Sequence, residues 1–384
     1  RTALEISEQL DSIGASVGAG SNVDTSTVSL NTLTSELDEA LEIYADIILN
    51  PSFPQSELDR LLKQRVAQIK REQVTPVQMA LRVFPKLLYG EGHAYGLPLT
   101  GSGTLESVQK ITSESLAKYH QSWFKPGNAT LVIVGDTSLE QIQPKLERLF
   151  AGWKDGAVPK KNIATVAQKD AETVYIVDRP GSEQSIIFAG HVAPPKANAT
   201  EFSIEAMNDV LGGDFTARVN MNLREDKHWA YGAYTFMLDA KGQRPFIAYA
   251  PVQTDKTAES MAELKMEMTD IIGDRPPEES ELARVRNNNT LSLPGRWETG
   301  AAVAGSLAEM VRFGLADDYW RTYPDKVRAL AVDSVSAAAR DVIKPDRLVW
   351  VVVGDREKIE PRIRELGYGE IRLIDTEGAS VNAN

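Results

Sequence analysis

Four histidines, His93, His120, His191 and His228, are the residues of this chain best suited to metal or proton chemistry, and their spacing keeps them apart. No two lie four positions apart, so no helix presents two imidazoles on one face to a metal ion. The chain has no cysteine, which removes disulfides, thiolate metal sites and thiol nucleophiles. Ser182 and Ser185 have no histidine and aspartate at a spacing that would reveal a proton relay. Gly101-Ser102-Gly103-Thr104 is too short for a phosphate cradle and lacks a lysine. His93, in the loop Tyr89-Gly90-Glu91-Gly92-His93, reads as structural. His228 reads as a solvated loop residue, and Trp297, in Arg296-Trp297-Glu298, as core.

The elements that would position any site come twice. Asn50-Pro51 followed by Ser56-Glu57-Leu58-Asp59-Arg60 is echoed by Gly273-Asp274-Arg275-Pro276 followed by Ser280-Glu281-Leu282-Ala283-Arg284. Lys125-Pro126 precedes Leu131-Val132-Ile133-Val134-Gly135-Asp136, and Lys344-Pro345 precedes Trp350-Val351-Val352-Val353-Gly354-Asp355. Matched blocks in the same order indicate a duplication. Aligning the copies leaves the first short by roughly 50 to 65 residues at its front. Thr2-Ala3-Leu4-Glu5 is a capping box that opens a helix at once, so the chain is expected to begin inside a folded unit.

Composition fits two domains. The chain has 384 residues, 42% hydrophobic and 25% charged, with a net charge of −12. Its acids and bases are interspersed, which argues against nucleic acid or an anionic lipid surface as a partner. No apolar run approaches the length of a membrane span. Domain boundaries are placed at 1–155, a lysine-rich linker at 156–170, and 171–384.

Patterning predicts α+β units. Strands are expected at 15–21 and 26–33. Helices are expected around Leu37 to Ile48, from Ser56 through Ile69, from Val77 to Leu88, and after a cap at Ser113. Thr130–Val134 is expected to be a buried strand, and Leu139–Phe150 a closing helix. The second copy predicts strands at 173–177, 185–189, 232–238, 246–251 and 348–353. Its helices are expected at 202–211, 215–225 and 258–272.

Several ordered segments carry a resemblance. They are Thr2-Ala3-Leu4-Glu5-Ile6, Leu49-Asn50-Pro51-Ser52-Phe53, Phe124-Lys125-Pro126-Gly127-Asn128, Pro180-Gly181-Ser182-Glu183-Gln184-Ser185, and Leu223-Arg224-Glu225 with Tyr231-Gly232. Together they resemble the pitrilysin/insulinase family of zinc metallopeptidases, which includes the mitochondrial processing peptidase. More narrowly, the chain resembles the non-metal C-terminal half of a long bacterial zinc protease of that family. The resemblance implies two tandem α+β repeats, each an antiparallel sheet with helices on one face. Four such repeats would enclose a peptide in a chamber.

That family's zinc motif, His-x-x-Glu-His, is absent from this sequence. Gln68 falls at the position of the family's downstream glutamate ligand, and a neutral amide is a poor substitute for a carboxylate. Glu72, one turn on, would serve only after a register slip. The resemblance implies that Arg224 and Tyr231 match a pair that reaches toward substrate. A guanidinium and a phenol are donors able to hold a peptide carbonyl. Read from the residues alone, the same pair is an arginine closing a helix and a tyrosine packed on a sheet.

The expectation is a half with no metal of its own, which binds peptide for proteolysis by a zinc-bearing partner half. The alternative is an inactive scaffold of the same fold. A bacterial periplasmic or extracellular location is expected from the lack of cysteine and the family likeness.

Overall fold

A computed structural model describes residues 1–381. The chain divides into two units. The first comprises residues 1–65, 106–161 and 296–312; the second comprises 66–105, 162–295 and 313–384.

In the first unit, the helix Ala3–Ser12 opens on the expected capping box: Glu5 N donates to Thr2 Oγ1 at 3.2 Å, and Thr2 N donates to Glu5 Oε2 at 2.7 Å. Strands β1 (Ser16–Ser21) and β2 (Ser26–Asn31) pair antiparallel from Ser16↔Asn31 to Ser21↔Ser26. The helix Leu37–Leu49 has apolar residues on two adjoining stripes. Ala40 and Ile43 close on Leu10 and Ala15, while Leu41, Tyr44 and Ile48 close on Ile142. Ile142 belongs to the helix Leu139–Phe150. Thr112, one residue before the expected cap, receives Ser115 N and starts the helix Ser113–Trp123.

The expected strand at Thr130–Val134 does not form. Lys125-Pro126 makes a 3-10 turn at Pro126–Asn128, but the segment beyond it joins no sheet, and Leu131, Ile133 and Val134 are exposed. The physical reason is a lack of neighbours. Apolar alternation marks a segment that can pair, but a strand exists only when a ladder and a packing face are supplied. Among the described residues of this unit, β1 and β2 pair only with each other.

The second unit holds strands β3 (Thr173–Asp178), β4 (Gln184–Ala193), β5 (Tyr234–Met237), β6 (Arg244–Gln253), β7 (Val349–Gly354) and β8 (Glu370–Ile374) in one sheet, ordered β5-β6-β4-β7-β3-β8. The sheet is mixed where an antiparallel one was expected: β3 runs parallel to both β7 and β8. β4 pairs antiparallel with β6 and β7, and β5 with β6.

Helices cover both faces of this sheet instead of one. On one face Ile187, Ala189, Trp350 and Val352 pack under the helices Glu201–Asn208, Thr257–Ile272 and Val332–Val342. On the other, Ile186, Phe188, Val351 and Val353 meet Ala80, Val83, Phe84 and Leu88 of the helix Pro76–Tyr89. The sequence explains this: β7 is apolar at consecutive positions, and a strand hydrophobic on both sides must be buried on both. Gly190 admits the close contact, since a Cβ there would lie 2.0 Å from Phe246 O and 2.9 Å from Phe84 Cζ.

Candidate functional site

All four histidines are engaged by the main chain. Nε2 of His120 donates to Ile48 O at 2.7 Å, and Nε2 of His93 donates to Ala164 O at 3.0 Å while its Nδ1 accepts from Tyr95 N at 3.0 Å. His191 is fully buried; Nδ1 donates to Val192 O at 3.0 Å and Nε2 accepts from Lys344 N at 3.2 Å. Burial, the dominant effect, pushes its pKa down to about 4. His228 sits at a left-handed corner, φ +57°, and donates through Nδ1 to Arg224 O at 3.0 Å.

Gln68 and Glu72 lie one turn apart on the helix Gln55–Glu72. Gln68 Nε2 donates to Glu72 Oε1 at 2.9 Å. The other carboxylate oxygen of Glu72 accepts from Arg82 Nη1 at 2.9 Å and from Ser102 Oγ at 2.6 Å. Arg82 is buried and also binds Glu377 Oε1 at 2.6 Å. Burial pushes the Glu72 carboxyl up, but the Ser102, Arg82 and Gln68 donors outweigh it and hold the group below the usual carboxylate range. This chemistry does not fit zinc. A guanidinium stands against the only carboxylate on that helix turn, the neighbouring side chain is an amide, and no imidazole takes part. Among the described residues no group of three or more metal-ligating side chains is assembled.

Arg224 and Tyr231 do come together. Arg224 lies in a π-helical turn, Met221–Asp226, where a regular helix was expected to run through 215–225. Such turns are wide and recur at functional sites. The guanidinium carbon lies 5.2 Å from the Tyr231 ring centroid and 4.5 Å from that of Phe215. Nε of Arg224 is 3.1 Å from Glu225 Oε1. Among the described residues neither its Nη atoms nor the Tyr231 hydroxyl has a hydrogen-bond partner, and Tyr231 is 86% exposed. Arg224 does stand in the last turn of its helix, as read from the residues alone, and its guanidinium also lies over two rings, whereas the exposed Tyr231 is not packed on the sheet. Phe215 was missed because nine residues of regular helix turn through about 900°, which puts it opposite Arg224.

A separate cavity of ≈ 300 Å³ is lined by Lys196, Glu205, Asp209, Asp239, Arg244 and Tyr323, among others. Its charges largely satisfy one another: Lys196 pairs with Glu201, Glu205 and Asp239, and Arg244 pairs with Glu201 and Asp239. Asp209 receives Asn289 Nδ2 at 2.9 Å. Burial, against that bond, pushes its carboxyl up to about 6.

Comparison with known proteins identifies a peptidase fold. Residues 110–289 match the family description "Peptidase M16 inactive domain", and residues 1–88 match "Insulinase (Peptidase family M16)". The chain belongs to the peptidase M16 (insulinase) family. It is a non-catalytic half of the zinc-protease fold. It is 25% identical over 237 residues to "Uncharacterized zinc protease YmxG" of Bacillus subtilis, covering 62% of this chain and 56% of that one. It is 22% identical to "Non-peptidase homolog YmxG" of Helicobacter pylori, covering 88% and 78% of the two chains. The chain spans 56% and 64% of the length of two of its zinc-protease relatives, from Bacillus subtilis and Rickettsia felis. A solved M16 inactive domain from Pseudomonas fluorescens superposes with a TM-score of 0.85 at 23% identity, covering 92% of this chain and 84% of that one, a likeness of fold. Among the described residues no helix is long and apolar enough to cross a membrane.

Proposed function

We propose that this chain binds an extended polypeptide at Arg224 and Tyr231 and presents it to a metal-bearing M16 partner half, which performs the hydrolysis. The observation that carries this reading is the guanidinium lying over two rings, 4.5 and 5.2 Å from their centroids, with its Nη donors and the adjacent phenol unpartnered among the described residues. Donors already fixed in place, and not spent within the protein, suit a peptide carbonyl or the oxyanion that develops from it. In this reading the zinc belongs to the partner, because Gln68, Glu72 and Arg82 are unsuited to hold it at the position where the family's ligand would fall.

The test is to mix this chain with a metal-bearing M16 chain from the same organism and follow cleavage of an unstructured peptide. The expected result is no cleavage by this chain alone and a gain on mixing that Arg224→Ala and Tyr231→Phe each remove. Stoichiometric zinc and cleavage in this chain alone, or a gain indifferent to both substitutions, would sink the proposal. A scaffold without proteolysis is the second reading, favoured by the relative named a non-peptidase homolog; no gain in any mixture would select it. The bacterial relatives and the absence of cysteine support a bacterial envelope or extracellular location, which cell fractionation tests.

A further inference from the structure

Arg224 can select a peptide oxygen only if its position is fixed, and two residues outside the Arg224–Tyr231 pair, Phe215 and Asn220, bear on it. Phe215 lies beneath the guanidinium at 4.5 Å while 49% exposed, so its ring is not there to fill the core. It precedes the short helix Arg218–Asn220, in a segment where the helix expected from sequence has not yet begun. Asn220, the last residue of that helix, has no exposed surface. Its Nδ2 donates to Phe215 O at 2.6 Å, and its Oδ1 accepts from Ala233 N at 3.1 Å. One buried amide thus ties the residue under Arg224 to the strand entry two residues beyond Tyr231. A buried amide must satisfy both of its ends. Here both are spent on the backbones of the two segments that carry the rings.

We infer that Phe215 is a positioning residue for Arg224, and that Asn220 sets the separation of the Phe215 and Tyr231 segments, so that the two ring–cation contacts are formed before peptide arrives. This rests on the reading of Arg224 as a peptide contact. The ring–cation contact restricts a long side chain that would otherwise lose its freedom on binding.

The experiment uses the chain and fluorescein-labelled β-casein as an unstructured probe, read by anisotropy. The variants are Arg224→Ala, Phe215→Leu, Phe215→Tyr and the Phe215→Leu/Arg224→Ala double. Phe215→Leu should weaken binding by about two- to fivefold, the factor that a cation–π contact at a partly exposed site represents. Phe215→Tyr should bind as the parent does. Phe215→Leu should cost nothing further once Arg224 is alanine, because the effect runs through Arg224. The ¹⁵Nε–H resonance of Arg224 should move in Phe215→Leu and stay in Phe215→Tyr, a readout that general destabilisation would not give.

If Arg224→Ala weakens binding while Phe215→Leu does not, the positioning role is wrong and the peptide-contact reading stands. If Phe215→Leu costs the same factor with and without Arg224, Phe215 touches the peptide itself and the inference is again overturned. If Arg224→Ala binds as the parent does, the underlying reading fails.

Discussion

Leu131–Asp136 and Trp350–Asp355 carry one pattern, an apolar run closed by Gly-Asp, and each follows a Lys-Pro that makes a 3-10 turn. The second run is the strand β7, buried at every position between β3 and β4. The first makes no ladder and leaves three of its four apolar side chains exposed. The turn forms in both places because its geometry is local. The strand forms in one because it depends on what lies beside it.

The sharpest way to break this comparison is to truncate the aligned pair Leu131 and Trp350. Trp350 has no exposed surface; it donates through Nε1 to Glu172 Oε1 at 3.0 Å and stacks on Tyr368. Trp350→Ala should cost about 3–5 kcal/mol in urea unfolding of the second unit, as a large aromatic lost from a core does. Leu131 is exposed, so Leu131→Ala should stay within about 0.5 kcal/mol. Equal losses would mean that residues 130–134 are packed in solution after all.

Acid should act on the second unit through two groups of opposite sign, the buried His191 and the half-buried Asp209. His191 has a folded pKa of about 4 against an ordinary 6.5, because burial opposes its charge. As pH falls below 6.5 the unfolded chain takes up a proton that the native chain refuses until about 4. Stability is therefore full above 6.5 and falls across that window, in total by on the order of 3 kcal/mol. Protection factors of β7 amides, corrected for the intrinsic exchange rate at each pH, should fall from pH 7 to 4.5, and His191→Gln should flatten the response. An unchanged slope in His191→Gln would assign the acid loss elsewhere.

Asp209 runs the other way. Its folded pKa, about 6 against 3.8, is raised by burial. The native state binds its proton first as pH falls through 6, so this group adds stability between about 6 and 3.8. Near pH 7.5 the buried charge is a cost, and Asp209→Asn should raise stability by on the order of 2 kcal/mol. That gain should shrink to about half a kcal/mol at pH 4; a gain of full size there would not come from the charge.

What was legible in the sequence sorts by the range of the interaction. Thr2 and Glu5 close their capping box because both partners lie within one turn. The helix at 37–49 follows from its own apolar stripes. Two features were not legible. The parallel placement of β3 beside β7 joins residues far apart in the chain. The covering of the sheet's second face by Pro76–Tyr89 joins segments that the duplication had assigned to different copies. At the candidate site, the family resemblance pointed to Arg224 and Tyr231, and nothing in the sequence pointed to Phe215 or Asn220. A π-turn changes which side chains share a face, and a 3.6-residue period cannot register it.

The finest test uses the glycine that ends each run. A Cβ on Gly354 would lie 2.5 Å from Ser185 Oγ and 3.1 Å from Ile359 Cδ1, whereas a Cβ on Gly135 would meet nothing within 4 Å. Neither glycine has the left-handed backbone that excludes a side chain, so the two alanine variants differ in packing alone. Ser185 can yield only by giving up its bond from Thr257 Oγ1, at 2.7 Å inside the core. Gly354→Ala should therefore cost about 1–2 kcal/mol, the lower part of the range for overfilling a packed site. Gly135→Ala should be neutral or stabilise by a few tenths of a kcal/mol, because alanine narrows the unfolded ensemble without a native clash. If Gly135→Ala proved as harmful as Gly354→Ala, the glycine of the first copy would have a close neighbour in solution, and the contrast between the two runs would be one of degree.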